Sequence, residues 1–172
     1  VGYTGGTTPD PTYTNLGDHT ESLELEFDPN TIKYEELLSV FWESHDPSAE
    51  KTCSHYKAAV YYHNEEQRLL AEASKAEQVL EHGIVHTEIL EAGAFYPAED
   101  YHQKYYLQGN ELLMTDFDAF YPEHADFVDS TAAARVNGVL GYFYTAERLE
   151  EEIDGFGLSE ESNEELRKYV QY

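Results

Sequence analysis

"HTESLELEFDPNTIKYEELLSVFWESHDP", residues 19–47, contains a change of period, and that change decides the fold. Over residues 19–27 the odd positions carry His19, Glu21, Leu23, Leu25 and Phe27, and the even ones Thr20, Ser22, Glu24 and Glu26. That is the alternation of a half-buried strand. After Asp28-Pro29-Asn30, Tyr34, Leu37, Leu38, Phe41, Trp42 and His45 fall on one face of a helix. Asp46-Pro47 stops it, because a residue before proline resists the helical region.

Upstream, Gly5-Gly6, Pro9-Asp10-Pro11 and Gly17-Asp18 crowd residues 1–18 with turn signals, so this stretch reads as an irregular but ordered loop. Downstream, "KAAVYY" (57–62) reads as a strand. Asn64 with Gln67 opens a helix to His82 that Gly83 ends, with Leu69, Leu70, Ala73, Ala76, Val79 and Leu80 expected inward. A third strand is expected at 84–90. Pro97 suits the first turn of a helix "PAEDYHQKYYL", and the rest to Tyr172 reads as helical with a turn near Gly155 to Gly157. The acidic run from Glu150 to Asp154 reads as a solvated helix face. Strands alternating with helices predict a two-layer α+β or α/β domain with a helical C-terminal extension.

The 172 residues suit one domain, and 14% aromatic content with 15 Tyr argues for a packed fold. Ten Lys and Arg against 35 Asp and Glu leave a net charge of −25, which repels nucleic acid and anionic lipid. Such charge serves solubility; the sharper alternative is a docking face for a basic partner. The single cysteine, Cys53, excludes an intrachain disulfide and a thiolate zinc cluster. No apolar run approaches the ~18 residues of a membrane span, so no membrane insertion is expected.

Among groups able to do chemistry, Glu21 stands out as a carboxylate in phase with Leu23, Leu25 and Phe27. Burial there would favour its protonated form, which suits a general acid; at a strand end it would simply reach solvent. The eight histidines form no HExxH pattern, so no metal is expected. Cys53 and His55 lie two apart in a loop with no helix N-terminus to activate the thiol, and Gly5-Gly6 lacks the spacing of a phosphate cradle. The tyrosines are more suggestive, since a phenol can donate a directed hydrogen bond to a substrate oxygen without carrying charge.

Five blocks in order, "GYTGGTTPDPTY" (2–13), "GDHTE" (17–21), "YEELLSVFWESHDP" (34–47), "YKAAVYYHNEEQ" (56–67) and "FYPAEDYHQKY" (95–105), resemble the A-type peptide methionine sulfoxide reductases. The resemblance covers residues 1–106, and the helical tail at 107–172 is similar to the extended C-termini of some animal members. It implies an α+β, two-layer sandwich-like domain of ferredoxin-like type, with the C-terminal extension packed on it. It also implies reduction of the S epimer of methionine sulfoxide, free or in proteins and peptides. The family's cysteine, in a Gly-Cys-Phe-Trp motif at a helix N-terminus, attacks the sulfur. A glutamate gives the oxygen a proton, two tyrosines hydrogen-bond that oxygen, and the Phe-Trp rings hold the methyl group. The resulting sulfenic acid is discharged by another cysteine and then by thioredoxin or another dithiol, with no prosthetic group. By motif the glutamate is Glu21 and the tyrosines are Tyr13 and Tyr56.

The departures are equally definite. The Gly-Cys-Phe-Trp motif would fall upstream of Val1, so the nucleophilic cysteine is absent from residues 1–172 and these residues alone are expected to be inactive. The loop before Tyr56 is short and lacks the usual acidic residue. No resolving thiol lies in the tail, and nothing in the family makes Cys53 the nucleophile. Two readings follow. One is a reductase whose N-terminal segment exists outside these residues, through processing, a longer chain or a separate polypeptide; the chain is expected to be soluble, in a compartment the sequence does not fix, an organelle or lumen being one option if an N-terminal segment is removed. The other is a non-catalytic member serving as a binding or structural subunit, with a protein partner over the surface that the segment would cover.

Overall fold

A computed structural model describes residues 1–51 and 53–170, Ser54 by its backbone only. Gln171 and Tyr172, the end of the stretch expected to be helical, lie outside the described residues. The class is α+β with a helical C-terminal part, in two compact units, Val1–Ala98 and Glu99–Tyr172.

In the first unit, β1 (Gly2–Thr4) lies between β2 (Thr20–Ser22) and β5 (Tyr96–Pro97), antiparallel to both. β1 is a correction to the expected irregular loop: at three residues it is too short for period two to be read. The expected strand over residues 19–27 is also corrected, because only Thr20–Ser22 pairs. Residues 23–27 have no strand beside them among the described residues, and Leu23 and Leu25 are exposed. Pro97 sits in the edge strand β5 rather than opening a helix; it brings no N–H, which an edge tolerates.

The helical reading of 34–45 holds as α1 (Tyr34–Glu43). A separate sheet pairs β3 (Ala59–Tyr62) with β4 (Glu88–Glu91) in parallel, Ala59 opposite Glu88 and Tyr62 opposite Glu91. The crossover between them is α2 (Glu65–His82). Its boundaries are as read: the Asn64 side chain accepts from the Gln67 N–H at 2.9 Å, and Gly83 takes φ of 83°. Its inward face is not. Leu69, Ala73, Ala76, Val79 and Leu80 are exposed and Leu70 is half-buried, while Ala71 is fully buried against Leu38 and Trp42. The heptad-like spacing describes two apolar edges, and the packed one is the narrower.

The second unit is all helical among the described residues. A 3-10 turn (Asp100–His102) and α3 (Tyr105–Gln108) are separated by Lys104 in the left-handed region, which breaks the single helix expected from Pro97. Then follow α4 (Glu111–Phe120), α5 (His124–Asp129), α6 (Thr131–Leu140), α7 (Ala146–Glu152) and α8 (Glu160–Leu166). Asn110, Ser130, Thr145 and Ser159 cap α4, α6, α7 and α8 with side-chain oxygens. Their apolar faces meet around Phe117, Leu113, Val136, Val139, Leu149 and Leu166, all at 0% exposure. The turn expected near Gly155 to Gly157 is present, Gly157 taking φ of 71°.

Candidate functional site

The loop after β1 is held by polar clasps. The Asp18 carboxylate accepts from the backbone N–H and hydroxyl of both Thr7 and Thr8, at 2.8 to 3.0 Å. Those donors hold its pKa far below the ordinary carboxylate range, the Thr7 N–H contributing most. His19, 1% exposed, receives the Gly6 N–H on Nδ1 at 3.2 Å, so its Nε2–H donates to the Thr8 carbonyl at 2.8 Å. A side chain on Gly6 would not fit, since its Cβ would lie 2.6 Å from an Asp18 oxygen. Asp18 and His19 are structural residues that the sequence reading did not single out, although both lie in its "GDHTE" block.

This loop presents Tyr13. Thr12 and Asn15 exchange backbone hydrogen bonds at 2.9 and 3.3 Å, making a tight turn with Tyr13 and Thr14 at its tip, Tyr13 being half exposed. Glu21 comes from the middle of β2, opposite Tyr3, and is exposed. Of the two readings left open for Glu21, burial on an inward face or reach to solvent, the structure has the second: β2 is cut short, so the face in phase with Leu23 and Leu25 is not a core face. Tyr56 ends a 3-10 turn (Ser54–Tyr56) tied to the first loop by His55, whose Nε2 donates to the Gly17 carbonyl at 3.0 Å. The Tyr56 phenol is raised above its ordinary value of 10.0, first by the charge of Glu21 and then by Tyr13. Tyr56 therefore lies within electrostatic reach of both Glu21 and Tyr13. Cys53, exposed, starts the turn, its carbonyl accepting the Tyr56 N–H at 3.2 Å.

Beside Glu21 runs a trough of about 530 Å³ between β2, α1 and β3. Leu23, Leu25, Leu37, Phe41, Val60 and Tyr61 are among its walls, whereas Tyr13 and Tyr56 are not. Two of its tyrosines, Tyr34 and Tyr61, hold their hydroxyls out of solvent with no hydrogen-bond partner. Behind α1, Trp42 donates to Ser74 at 3.0 Å and His45 bridges the Phe41 carbonyl and Thr87 at 2.8 and 3.1 Å, fixing the helix to its neighbours. No group of three or more His, Cys, Asp or Glu able to hold a metal exists among the described residues. No described helix is long and apolar enough to cross a membrane.

A family model described as peptide methionine sulfoxide reductase matches residues 1–134. The chain is 39% identical over 162 residues to a peptide methionine sulfoxide reductase of Drosophila melanogaster, covering 92% of this chain and 65% of that protein. It is 36% identical over 165 residues to peptide methionine sulfoxide reductase A5 of Arabidopsis thaliana, covering 90% and 62%. With peptide methionine sulfoxide reductase MsrA of Bacillus pumilus the identity is 46% over 118 residues, covering 61% and 66%. The chain thus spans just under two thirds of the length of these relatives, and the fly and plant matches run much further along it than the bacterial one. The chain therefore belongs to the peptide methionine sulfoxide reductase family.

Proposed function

We propose that these residues form the oxygen-binding wall of a reductase for methionine S-sulfoxide in proteins and peptides. Glu21 gives a proton to the sulfoxide oxygen, and the Tyr13 and Tyr56 hydroxyls hydrogen-bond it as charge builds there. The nucleophile is the cysteine of a Gly-Cys-Phe-Trp segment supplied from outside residues 1–172. Its thiolate attacks sulfur, forming an S–S bond while the oxygen takes the proton; the hydroxyl then passes to the cysteine sulfur as the S–O bond and that S–S bond break, leaving the thioether and a cysteine sulfenic acid. Two thiols, from thioredoxin or a small dithiol, return the cysteine to a thiol with release of water and formation of a disulfide.

The observation that carries this reading is that Tyr56, ending a 3-10 turn, lies within electrostatic reach of Glu21 on a strand and Tyr13 at a turn tip. The raised phenol of Tyr56 keeps its proton, and so its donor role, beyond neutral pH. The trough beside Glu21 offers that segment a seat. Its apolar walls would take side chains of that segment.

The test is epimer-resolved turnover with dithiothreitol, using a form in which a Gly-Cys-Phe-Trp segment precedes Val1. The S epimer is consumed and the R epimer is left; consumption of neither, in a folded protein, rejects the proposal.

A further inference from the structure

The trough beside Glu21 lies on one side of α1, and the other side opens on a second groove. Between α1 and α2 lies a cleft of about 570 Å³. Leu38, Trp42, Leu70 and Ala73 line it, and so do four exposed carboxylates, Glu35, Glu43, Glu77 and Glu81. Neither Lys nor Arg does. Arg68 of α2 is occupied by Glu65 and Glu72, at 2.5 and 2.6 Å.

The cleft continues into the apolar edge of α2 that the fold leaves uncovered. Leu69, Ala73, Ala76 and Leu80 fall at i, i+4, i+7 and i+11, one helical stripe, and Ala73 belongs to both stripe and cleft. Leu80 is 88% exposed, and Ile84 just past the helix end is 69% exposed. Exposed apolar residues in register on a helix, bordered by a carboxylate rim, mark an interaction surface rather than a solvated face.

We propose that this face docks a basic amphipathic helix of a partner protein. Its apolar side chains enter the cleft and cover the stripe, and its Lys and Arg residues meet Glu35, Glu43, Glu77 and Glu81. Charge selects this occupant. A second copy would bring the same acidic rim and its own net charge of −25 against this one, and an anionic lipid surface would be repelled. The face lies away from Glu21 and does not depend on the reductase reading.

The chain carries one tryptophan, Trp42, in the cleft, so its emission reports occupancy. The probe is a synthetic Leu/Lys amphipathic helical peptide, with a Leu/Glu peptide of the same pattern and a Lys/Ser peptide of the same charge as controls. The Leu/Lys peptide shifts Trp42 emission saturably at one to one, and the controls do not. Reversing Glu77→Lys with Glu81→Lys raises Kd about tenfold, and Leu80→Ser also weakens binding. Reversing two exposed carboxylates of the second unit, Asp118→Lys with Glu151→Lys, leaves Kd within about twofold, as expected for exposed charges outside the contact. Binding with Trp42 silent, equal weakening by the two double reversals, or a dimer of the chain alone that Glu77→Lys with Glu81→Lys disrupts would each overturn the proposal.

Discussion

The unit from Glu99 on gathers fourteen buried side chains into one continuous core, whereas the unit ending at Ala98 has two clusters of three among its described residues. The second unit is ordered by apolar burial under capped helices. The first is ordered largely by polar clasps: Asp18 on Thr7 and Thr8, His19 on Gly6 and Thr8, His55 on Gly17, and His45 on Thr87. The contrast fits the proposed roles. On the proposed function this surface receives a substrate and a cysteine-bearing segment, so its apolar residues are not spent on an interior and directional hydrogen bonds set its shape instead.

If that contrast is right, core truncation separates the units. Phe117→Ala, in the middle of the larger core, removes about 3–5 kcal/mol from the second unit, read by urea unfolding. Leu38→Ala in the first unit costs only about 2 kcal/mol, because its side chain borders two open grooves and removes less enclosed volume. Equal losses would break the comparison. Tyr56→Phe leaves unfolding unchanged but lowers kcat about tenfold in a form that carries the nucleophile, the worth of one hydrogen bond made in the transition state. An unchanged kcat would remove Tyr56 from the wall.

The smallest effect is the most specific to the clasps. Asp18→Asn lowers the Tm of the first unit by a few degrees at neutral pH. The folded pKa of Asp18 is depressed, so its contribution is fully present above the ordinary aspartate value of about 3.9 and is lost as pH falls through the folded value. The Tm gap between wild type and variant therefore holds from pH 7 to about pH 4 and narrows only below it. A gap that closes at higher pH would mean the clasp does not order the loop.

Helices with caps were legible in the sequence because their signals are local. Asn64, Gln67 and Gly83 bound α2 as read, and Asp46-Pro47 lies just past the end of α1. Strands were less legible because a strand is defined by its partner. The alternation through Leu23 and Leu25 is real, yet only Thr20–Ser22 meets β1, and the three residues of β1 carry no readable period. The alternation left Glu21 either buried or in reach of solvent, and it is exposed; the family blocks, not the alternation, assign it a role. His19 was placed on the inward face and is buried, but its task of joining Gly6 to Thr8 depends on a loop closure that no spacing rule encodes.

The claim at the centre of this account is that Glu21 protonates the departing sulfoxide oxygen. The direct measurement is kcat for methionine S-sulfoxide at pH 7 by wild type and Glu21→Gln, in a form in which Gly-Cys-Phe-Trp precedes Val1, with far-UV dichroism to show that both are folded. Loss of a general acid predicts a fall of about 10²- to 10⁴-fold in the variant with its fold retained. A kcat within about twofold of wild type, less than a general acid contributes, would contradict it.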